Sequence, residues 1–396
     1  MDKRIIFLII SLLAVSITFA TLYFLKKDGT PPTCPPCPPC PPGSLMAIKT
    51  CDNNPSFAGK LVRSWKGTDI IPSNGRGWSY FTGPDTTHGR IVYRQGNPDL
   101  TDPSGNFYGS TKDQLVIKLS NVPNSSIDAI RIRSAELFNY GLFVIDLEQI
   151  PYGRYIWSAF WLNGLIKGGS KDAWAISGEI DIIEGGWQIG GGVDALNTVS
   201  LHTVPGYKQT NMTKFNPNGD CGFCGPPGAL NCTNDQNHKT CGKNAKEGKG
   251  TLCPFIGCGT LWPKAQNGYG EAFKNNGGGI YACNLNCDGT MKFWFIPSDK
   301  GDNGNYIKVK KIMSSNASLS TSILDGLGVE TLNLNDTNTG KTFDNLQIII
   351  NTTVCGDAYS GPPDRDTCND EVYTFIQNKK YVDNASWKIN TINVYQ

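Results

Sequence analysis

The chain has 396 residues, of which 39% are hydrophobic and 18% charged, which is enough for one large or two medium folded domains. With 36 Lys and Arg against 34 Asp and Glu, the formal net charge is only +2, which argues against a nucleic-acid partner. Glycine is abundant (45 residues) and charged helix-forming runs are scarce, so the composition favours short strands joined by turns.

The first 27 residues are predicted to be an N-terminal signal anchor with a transmembrane helix. Residues 5–25 carry no charge, and a helix of this length spans roughly 30 Å, the hydrocarbon thickness of a bilayer. Fourteen cysteines indicate an oxidising compartment, which favours a single-pass type II protein with most of the chain outside the cytoplasm. The alternative is a signal peptide cleaved near Ala20, which would leave the protein secreted.

Residues 28–45 are predicted to be a stalk, because the run PPTCPPCPPCPPG enforces a stiff polyproline II helix. Cys34, Cys37 and Cys40 recur every three residues, so they lie along one edge of this helix about 9 Å apart. Neighbours at that distance cannot bridge one another. One hypothesis is a disulfide-linked oligomer joined at this stalk; the alternative is a spacer whose thiols pair elsewhere or carry lipid.

Residues 46–396 are predicted to form a single all-β domain. Strand-like runs bounded by Gly, Pro, Asn or Asp recur throughout, and many alternate in polarity. These runs are residues 90–94, 114–119, 129–138, 141–150, 155–162, 290–296, 346–351 and 386–395. So many short strands predict a β-sandwich or jelly roll, with a short helix over residues 369–380.

A segment from about residue 208 to residue 260 is rich in Gly, Asn and Cys. We interpret it as an insertion of long loops pinned by disulfides, whose pairing the sequence does not determine. The cysteines available to these loops are Cys221, Cys224, Cys232, Cys241, Cys253, Cys258, Cys283 and Cys287. A zinc site is the alternative, with Cys221, Cys224, Cys253 and Cys258 as its ligands.

The sequence GEIDIIEGG, residues 178–186, places three acids in an apolar strand. Glu179 and Asp181 share one face, because side chains alternate along a strand. Glu184 lies at an odd offset and would face the core, unless a β-bulge at Ile182–Ile183 returns it to the face of the other two acids. Two Glu side chains that lean together across this bulge can approach to about 5 Å, the carboxyl separation of a retaining glycosidase.

This acidic face indicates catalysis, because neighbouring carboxylates repel each other and Asp is a poor strand former. One Glu would attack an anomeric carbon, and the other would protonate the leaving oxygen and then activate water. Asp181 would hydrogen-bond the nucleophile and raise the pKa of the acid by like-charge proximity. On the residues alone two alternatives remain open: a solvated acidic face, and a metal site built from the three carboxylates.

The strand GEIDIIEG resembles the signature of glycoside hydrolase family 16 in its bulged, laminarinase-like form. The resemblance to the fungal endo-1,3(4)-β-glucanase branch extends over residues 131–162, 200–207, 267–282, 291–299 and 346–396. It implies a β-jelly roll of two antiparallel sheets with a concave cleft, and a retaining endo-hydrolase of β-1,3- and β-1,3-1,4-glucans. On the matched positions it implies Glu179 as nucleophile, Asp181 as assisting carboxylate and Glu184 as acid/base.

Further residues are predicted to bind the glucan. The resemblance implies that His202 bonds Glu184 or the sugar and that Arg133 reaches the sugar or Glu179. Aromatic rings stack on the apolar faces of sugars, so tryptophans near the catalytic strand are predicted sugar platforms, with core packing as the alternative. These tryptophans are Trp157, Trp161, Trp174 and Trp187.

No cofactor and no catalytic metal are expected. The resemblance implies a structural calcium ion in many relatives, but its ligands are not identifiable in this sequence. Tyr207 stands where the fungal branch usually has Cys, so one bridge is expected to be absent or rerouted.

Two other functions are compatible with the same fold. One is a cell-wall transglycosylase, although such enzymes more often carry the motif without the bulge residue. The other is a β-glucan-binding protein without activity, although such proteins usually lack one of the two glutamates that Glu179 and Glu184 supply here.

Overall fold

The computed structural model describes residues 59–72, 77–121, 127–165, 177–186, 196–203, 207–209, 211–212, 221, 257–264, 266–301, 304–334, 343–359, 368 and 377–396. The predicted membrane segment, the stalk with its three cysteines, Trp174, Trp187 and most of the Cys-rich insertion lie outside these residues. Within the described ranges, no helix is both long enough and apolar enough to cross a membrane.

The described part of the chain contains eighteen strands, and each of the eight runs predicted from the sequence overlaps at least one of them. In chain order the strands are β1 (Leu61–Lys66), β2 (Trp78–Phe81), β3 (Gly83–Pro84), β4 (Ile91–Tyr93), β5 (Leu115–Ile117), β6 (Ser120–Asn121), β7 (Ile127–Ala129), β8 (Arg131–Ser134), β9 (Gly141–Gln149), β10 (Ile156–Gly164), β11 (Glu179–Gly185), β12 (Thr198–His202), β13 (Cys258–Leu261), β14 (Gly279–Leu285), β15 (Met291–Pro297), β16 (Thr331–Leu334), β17 (Leu346–Val354) and β18 (Trp387–Tyr395).

Two seven-stranded antiparallel sheets make up most of the fold. The back sheet has the order β1-β18-β9-β14-β15-β16, with β5 also paired to β18, and the front sheet has the order β13-β12-β11-β10-β17-β8-β2. Alternate residues of both sheets are fully buried in one shared core, for example Phe143 and Ile145 of β9 against Phe160 of β10 and Ile180 of β11. This arrangement confirms the predicted all-β sandwich and leaves the opposite face of the front sheet to carry polar side chains.

A small third sheet was not predicted. Its order is β3-β4-β7-β6, and β4 runs parallel to β7, so the expectation of only two antiparallel sheets was incomplete. These strands are two or three residues long, so although β4 falls in the predicted run 90–94, the sequence pattern does not show that they form a separate sheet. They pack in a separate cluster with Ile91, Tyr93 and Ile127 at its centre.

Four helices are described, α1 (Gly270–Asn275), α2 (Gly304–Ser314), α3 (Thr321–Asp325) and α4 (Lys379–Asn384). The outer face of the back sheet is covered by α2 and α3, because Val309 and Leu324 are buried against Val144 and Trp294. The sequence did not predict this layer. The helix expected over residues 369–380 lies largely outside the described residues, and α4 begins at its end.

Two disulfides are described, Cys221–Cys258 and Cys355–Cys368. The first disulfide contradicts the alternative zinc site, because Cys221 and Cys258, two of the four proposed zinc ligands, are bonded to each other and cannot supply thiolates. Cys283 was wrongly assigned to the disulfide network: it is a free thiol on β14, fully buried in the core, and burial raises its pKa well above the usual range.

Candidate active site

The acidic strand β11 contains the predicted bulge. Its residues Glu179 and Asp181 lie opposite His202 and Ser200 of β12, and then the register shifts by one before Glu184 pairs with Thr198. The pairing with β10 shifts by one residue at the same place. One extra residue on β11 therefore faces both neighbouring strands.

The bulge brings all three carboxyl groups to the polar face of the front sheet. The isoleucines between them, Ile180 and Ile182, are completely buried in the core. Glu179 and Asp181 are 7% and 3% exposed, whereas Glu184 is more accessible. The acids therefore share one face but differ in their access to solvent.

Asn197 satisfies the backbone groups that the bulge leaves unpaired. Its side-chain Oδ1 accepts a hydrogen bond from the backbone N–H of Glu184 at 2.9 Å, and its Nδ2 donates to the carbonyl of Ile182 at 2.9 Å. Asn197 is fully buried, so neither bond competes with water. A bulge residue whose polar groups are satisfied in this way holds the following side chain in one orientation.

The Glu184 carboxylate is oriented by two donors on neighbouring strands. The indole N–H of Trp157 on β10 donates to Oε1 at 3.1 Å, and the hydroxyl of Ser200 on β12 donates to Oε2 at 2.8 Å. Both oxygens are therefore engaged from opposite sides of β11. The predicted sugar platform Trp157 is thus also a hydrogen-bond partner of a predicted catalytic acid.

Asp181 and His202 lie beside the more buried glutamate. The imidazole Nε2 of His202 is 3.5 Å from Oδ2 of Asp181 and 3.9 Å from Oε1 of Glu179. Burial, and to a smaller extent the charge of Glu184, raises the pKa of Asp181 well above its usual range. A protonated Asp181 would lower the negative charge between the two glutamates.

The sheet face continues from β11 across β10, β17 and β8 in a second polar cluster. The indole N–H of Trp161 donates to Oδ1 of Asn351 at 2.7 Å, and Nδ2 of Asn351 donates to the hydroxyl of Tyr93 at 3.1 Å. The guanidinium of Arg131 lies 5.0 Å from the Trp161 ring and 4.7 Å from the Phe81 ring. Trp161 is thereby fixed beside the acidic strand, and its role as a sugar platform stays a prediction.

Arg131, which was not predicted from the sequence, contributes charge to the site. Burial lowers the pKa of Arg131, and the negative charge of Glu179 opposes this by favouring the charged guanidinium. Arg133 lies on the same face of β8, and its Nε donates to the hydroxyl of Ser79 at 3.2 Å. The predicted role of Arg133 toward the sugar stays a prediction.

Glycine is required directly after Glu184. A Cβ atom on Gly185 would lie 2.0 Å from the ring of Tyr269, whose hydroxyl donates to the carbonyl of Pro151 at 2.7 Å. This close packing fixes the end of the catalytic strand against the loop before β10. This packing explains why a glycine follows Glu184 in GEIDIIEGG, which the carboxylates alone do not explain.

The only described cluster of at least three His, Cys, Asp or Glu side chains that could hold a metal ion is Glu179, Asp181 and His202. No calcium ligands were identified from the sequence.

The sequence did not predict four residues of the site, because their roles depend on strand register, which is set by pairing between distant segments. These residues are Asn197, Ser200, Arg131 and Asn351.

Comparisons with known proteins identify related chains. The chain is 28% identical over 360 residues to a probable glycosidase of Schizosaccharomyces pombe, a match that covers 87% of this chain and 72% of the relative. It is 27% identical over 371 residues to a probable endo-1,3(4)-β-glucanase of Aspergillus fumigatus, which covers 89% of this chain but only 48% of the relative. The chain thus spans about half the length of this second relative.

Among solved structures, laminarinase 16A of Phanerochaete chrysosporium, a family 16 enzyme with two β-glucan molecules in its donor and acceptor sites, aligns with a TM-score of 0.58. It is 25% identical and covers 85% of this chain and 99% of its own. The profile of the XgeA-like catalytic domain of glycoside hydrolase family 16 matches residues 78–395, most of the chain. This chain therefore belongs to glycoside hydrolase family 16.

Proposed function

We propose that this protein is an endo-hydrolase of β-1,3- and β-1,3-1,4-glucans that retains anomeric configuration by double displacement. The observation that carries the proposal is the bulged strand β11, which presents Glu179, Asp181 and Glu184 on one face in unlike surroundings. The A. fumigatus relative is named an endo-1,3(4)-β-glucanase, and the P. chrysosporium enzyme is a laminarinase with β-glucans bound. Both support a β-glucan as the substrate.

In the first step, Glu179 attacks the anomeric carbon while Glu184 donates a proton to the glycosidic oxygen that leaves. The product is an α-linked glycosyl ester of Glu179. In the second step Glu184 removes a proton from water, the water oxygen attacks the anomeric carbon from the β face, and Glu179 leaves as a carboxylate. The more exposed position of Glu184 suits the residue that must exchange protons with water.

The neighbouring residues support these two roles. The raised pKa of Asp181 favours its neutral form, and in that form it adds no repulsion when Glu179 is released as a carboxylate. Trp157 and Ser200 hold both oxygens of Glu184, which keeps its proton aimed at one position. The ring of Trp161, fixed by Asn351 and Arg131, offers a flat surface for a bound glucose unit.

The stereochemical outcome and the two roles can be tested together. The chain is incubated with laminarin and with mixed-linkage glucan, and the anomeric configuration of the first product is followed by NMR. We expect β-configured reducing ends. Inverted product, or no cleavage of either glucan, would contradict the proposal, and elongated products with added oligosaccharide acceptors would favour the transglycosylase alternative.

Azide rescue separates the nucleophile from the acid/base. In Glu179→Gly, azide replaces the missing nucleophile and attacks an activated β-glucoside from the α face, so an α-glycosyl azide is expected. In Glu184→Ala, the glycosyl ester still forms and azide attacks it from the β face, so a β-glycosyl azide is expected. The opposite pair of products would mean that the two roles are exchanged.

We also propose that the enzyme acts outside the cytoplasm, anchored by residues 5–25 in the type II orientation. Support comes from two disulfides among the described residues of the catalytic domain, since stable disulfides are rare in reducing compartments. Extraction of membranes with alkaline carbonate tests the anchor, because an anchored protein stays in the pellet and a secreted one does not. Migration on gels with and without reductant tests whether Cys34, Cys37 and Cys40 link chains.

A further inference from the structure

Three potential ligand atoms lie close together beside the nucleophile. They are Nε2 of His202, Oδ2 of Asp181 and one carboxylate oxygen of Glu179, and all three lie within 4.8 Å of one another. The distances from the imidazole nitrogen are 3.5 Å to Asp181 and 3.9 Å to Glu179. The three side chains come from two paired strands, β11 and β12, so the backbone fixes their separation.

These distances are close to those around a tetrahedral metal ion. Ligand atoms at about 2.0–2.1 Å from zinc, arranged tetrahedrally, lie about 3.3 Å from one another. The two separations from the imidazole nitrogen, 3.5 and 3.9 Å, therefore exceed the coordinated ones by about 0.2 and 0.6 Å, within the reach of small side-chain rotations. The remaining tetrahedral position would point away from the core, where water or a sugar hydroxyl can enter.

The surroundings of two of these side chains favour a cation here. Oδ2 of Asp181 has no hydrogen-bond partner among the described residues, although the side chain is only 5% exposed. A buried carboxylate oxygen without a donor is costly and is relieved by a cation. The ring of His202 is also held in place, because Gly257 approaches it so closely that a Cβ there would lie 2.6 Å from Nδ1.

The mixed ligand set selects the kind of metal. Imidazole nitrogen suits zinc and copper, whereas calcium and magnesium prefer oxygen ligands alone. Three protein ligands drawn from imidazole and carboxylate groups, with the fourth position open, correspond to the form of an open zinc site.

We propose that Glu179, Asp181 and His202 form a Zn²⁺ site at which the metal acts as a reversible inhibitor and not as a cofactor. Bound zinc engages the carboxylate of the nucleophile and stands where the anomeric carbon must lie, so metal and glucan exclude each other. The metal site itself follows from geometry alone, and only the exclusion of glucan rests on the proposed function.

Binding of the metal to the whole chain tests the site without any activity assay. We expect titration with ZnCl₂ in a calorimeter to show a site that His202→Gln weakens by more than about tenfold, since even the loss of a residue that only supports a ligand costs 10- to 100-fold. Asp181→Asn, which removes one ligand oxygen, is a second variant with the same expectation. Co²⁺ in place of zinc should give the intense visible bands of four-coordinate cobalt in the unmodified chain and not in these variants.

His88→Gln is the matched control. His88 is exposed and pairs with Asp357 elsewhere on the protein, so this change should leave the affinity for zinc unaltered. Equal affinity for zinc in His202→Gln and the unmodified chain, or cobalt bands that survive both variants, would overturn the proposal.

The exclusion of glucan is measured separately. Laminaritetraose should weaken the apparent affinity for zinc, and zinc should raise KM for laminarin without lowering kcat. Zinc binding that depends on His202 in a chain that cleaves no glucan would support the metal site and contradict only the proposed hydrolase function. Zinc that binds at His202 without affecting laminarin cleavage would overturn the inhibitory role.

Discussion

Glu184 is the acid whose surroundings the structure defines most completely. One oxygen accepts from an indole on β10, the other accepts from a hydroxyl on β12, and its backbone N–H is held by Asn197. Such a carboxyl group has little freedom to rotate. A residue that must give a proton to one oxygen and later take one from water at nearly the same point gains from this restriction.

Replacing Trp157 by Phe should show how much the indole N–H donor contributes to catalysis. The ring is kept and only the N–H bond to Glu184 is lost, and a hydrogen bond to a charged group contributes about 1.5–3 kcal/mol. We expect kcat/KM on laminarin to fall roughly 10- to 100-fold, mainly through kcat. Trp161→Phe is the control, because its N–H binds Asn351, and its effect should appear mainly in KM. Equal effects on kcat in both variants would argue against a role for Trp157 through Glu184.

The raised pKa of Asp181 leads to a prediction about stability. A carboxyl group whose pKa is higher in the folded than in the unfolded protein stabilises the fold fully only below its unfolded pKa, near 3.9. That contribution is lost as the pH rises through the folded pKa. Asp181→Asn cannot ionise, so its melting temperature should rise relative to the unmodified chain as the pH increases from 4 to 7.

Thermal unfolding at several pH values, followed by circular dichroism, checks this difference. Asp69→Asn, at an exposed position of the short 3₁₀ helix Gly67–Ile70, serves as the control and should follow the unmodified chain in parallel. If the melting temperatures of Asp181→Asn and the unmodified chain change in parallel with pH, the surroundings do not raise the pKa of Asp181. The same variant should lose at least about tenfold in kcat if Asp181 assists Glu179.

For the individual residues, the sequence predicted which acids lie together on the strand and the face they share. Alternation along a strand is a local property that places Glu179 and Asp181 on one face, and the odd offset of Glu184 indicated the bulge that brings it there. The partners of these acids were not predictable in the same way. Asn197 and Ser200 act through the pairing of β11 with β12, and this register follows from the packing of the whole sheet.

Among the secondary-structure elements, β11 departs most from regular geometry for the sake of its side chains. The bulge costs ladder hydrogen bonds, and the side chain of Asn197 restores two of them. The predicted position of the bulge, Ile182–Ile183, is confirmed by the register shifts on both sides. The bulge could be predicted because a charged side chain pointing into the core would be far more costly.

Removal of the Asn197 side chain should loosen the bulge. Asn197→Ala leaves the N–H of Glu184 and the carbonyl of Ile182 buried without partners, which should cost about 2–4 kcal/mol of unfolding free energy. Because Glu184 is then free to turn, we expect kcat to fall at temperatures where the variant is still folded. Denaturant unfolding and initial rates on laminarin measure the two effects.

Asn393→Ala is the matched control for this change. Asn393 is also fully buried, and its Nδ2 donates to the carbonyl of Met313 at 3.0 Å, but it lies in the back sheet away from the acids. It should lose comparable stability and keep its kcat. If kcat of Asn197→Ala is as high as kcat of Asn393→Ala, the two hydrogen bonds of the Asn197 side chain contribute to stability alone.

Helix α2 shows why part of the fold escaped prediction. Only Tyr306, Val309 and Met313 of its eleven residues are buried, and lysines at 308, 310 and 311 interrupt the apolar stripe. Such a short, weakly amphipathic segment is not distinguishable from a loop by periodicity. Its helical state depends on the apolar outer face of the back sheet, which exists only after the sandwich has formed.

In the whole molecule, the back sheet is packed on both faces, by the shared core and by the helical layer. The front sheet has one face in the core and the acids on the other. Stability and chemistry are therefore concentrated in different layers of one domain. Changes in the helical layer should reach the acids only through two sheets of close-packed side chains.

Leu324→Ala tests this separation of layers. Leu324 is fully buried between α3 and the back sheet, and truncation of a buried leucine costs about 2–5 kcal/mol. We expect a large loss of unfolding free energy in urea, with kcat and KM on laminarin unchanged at 25 °C. Ile307→Ala, in which a side chain about half exposed on α2 is shortened, is the control and should change stability by less than about 0.5 kcal/mol. If kcat falls in Leu324→Ala while the protein remains folded, the helical layer and the acidic face are coupled through the core, and the bulge alone does not determine the geometry of the acids.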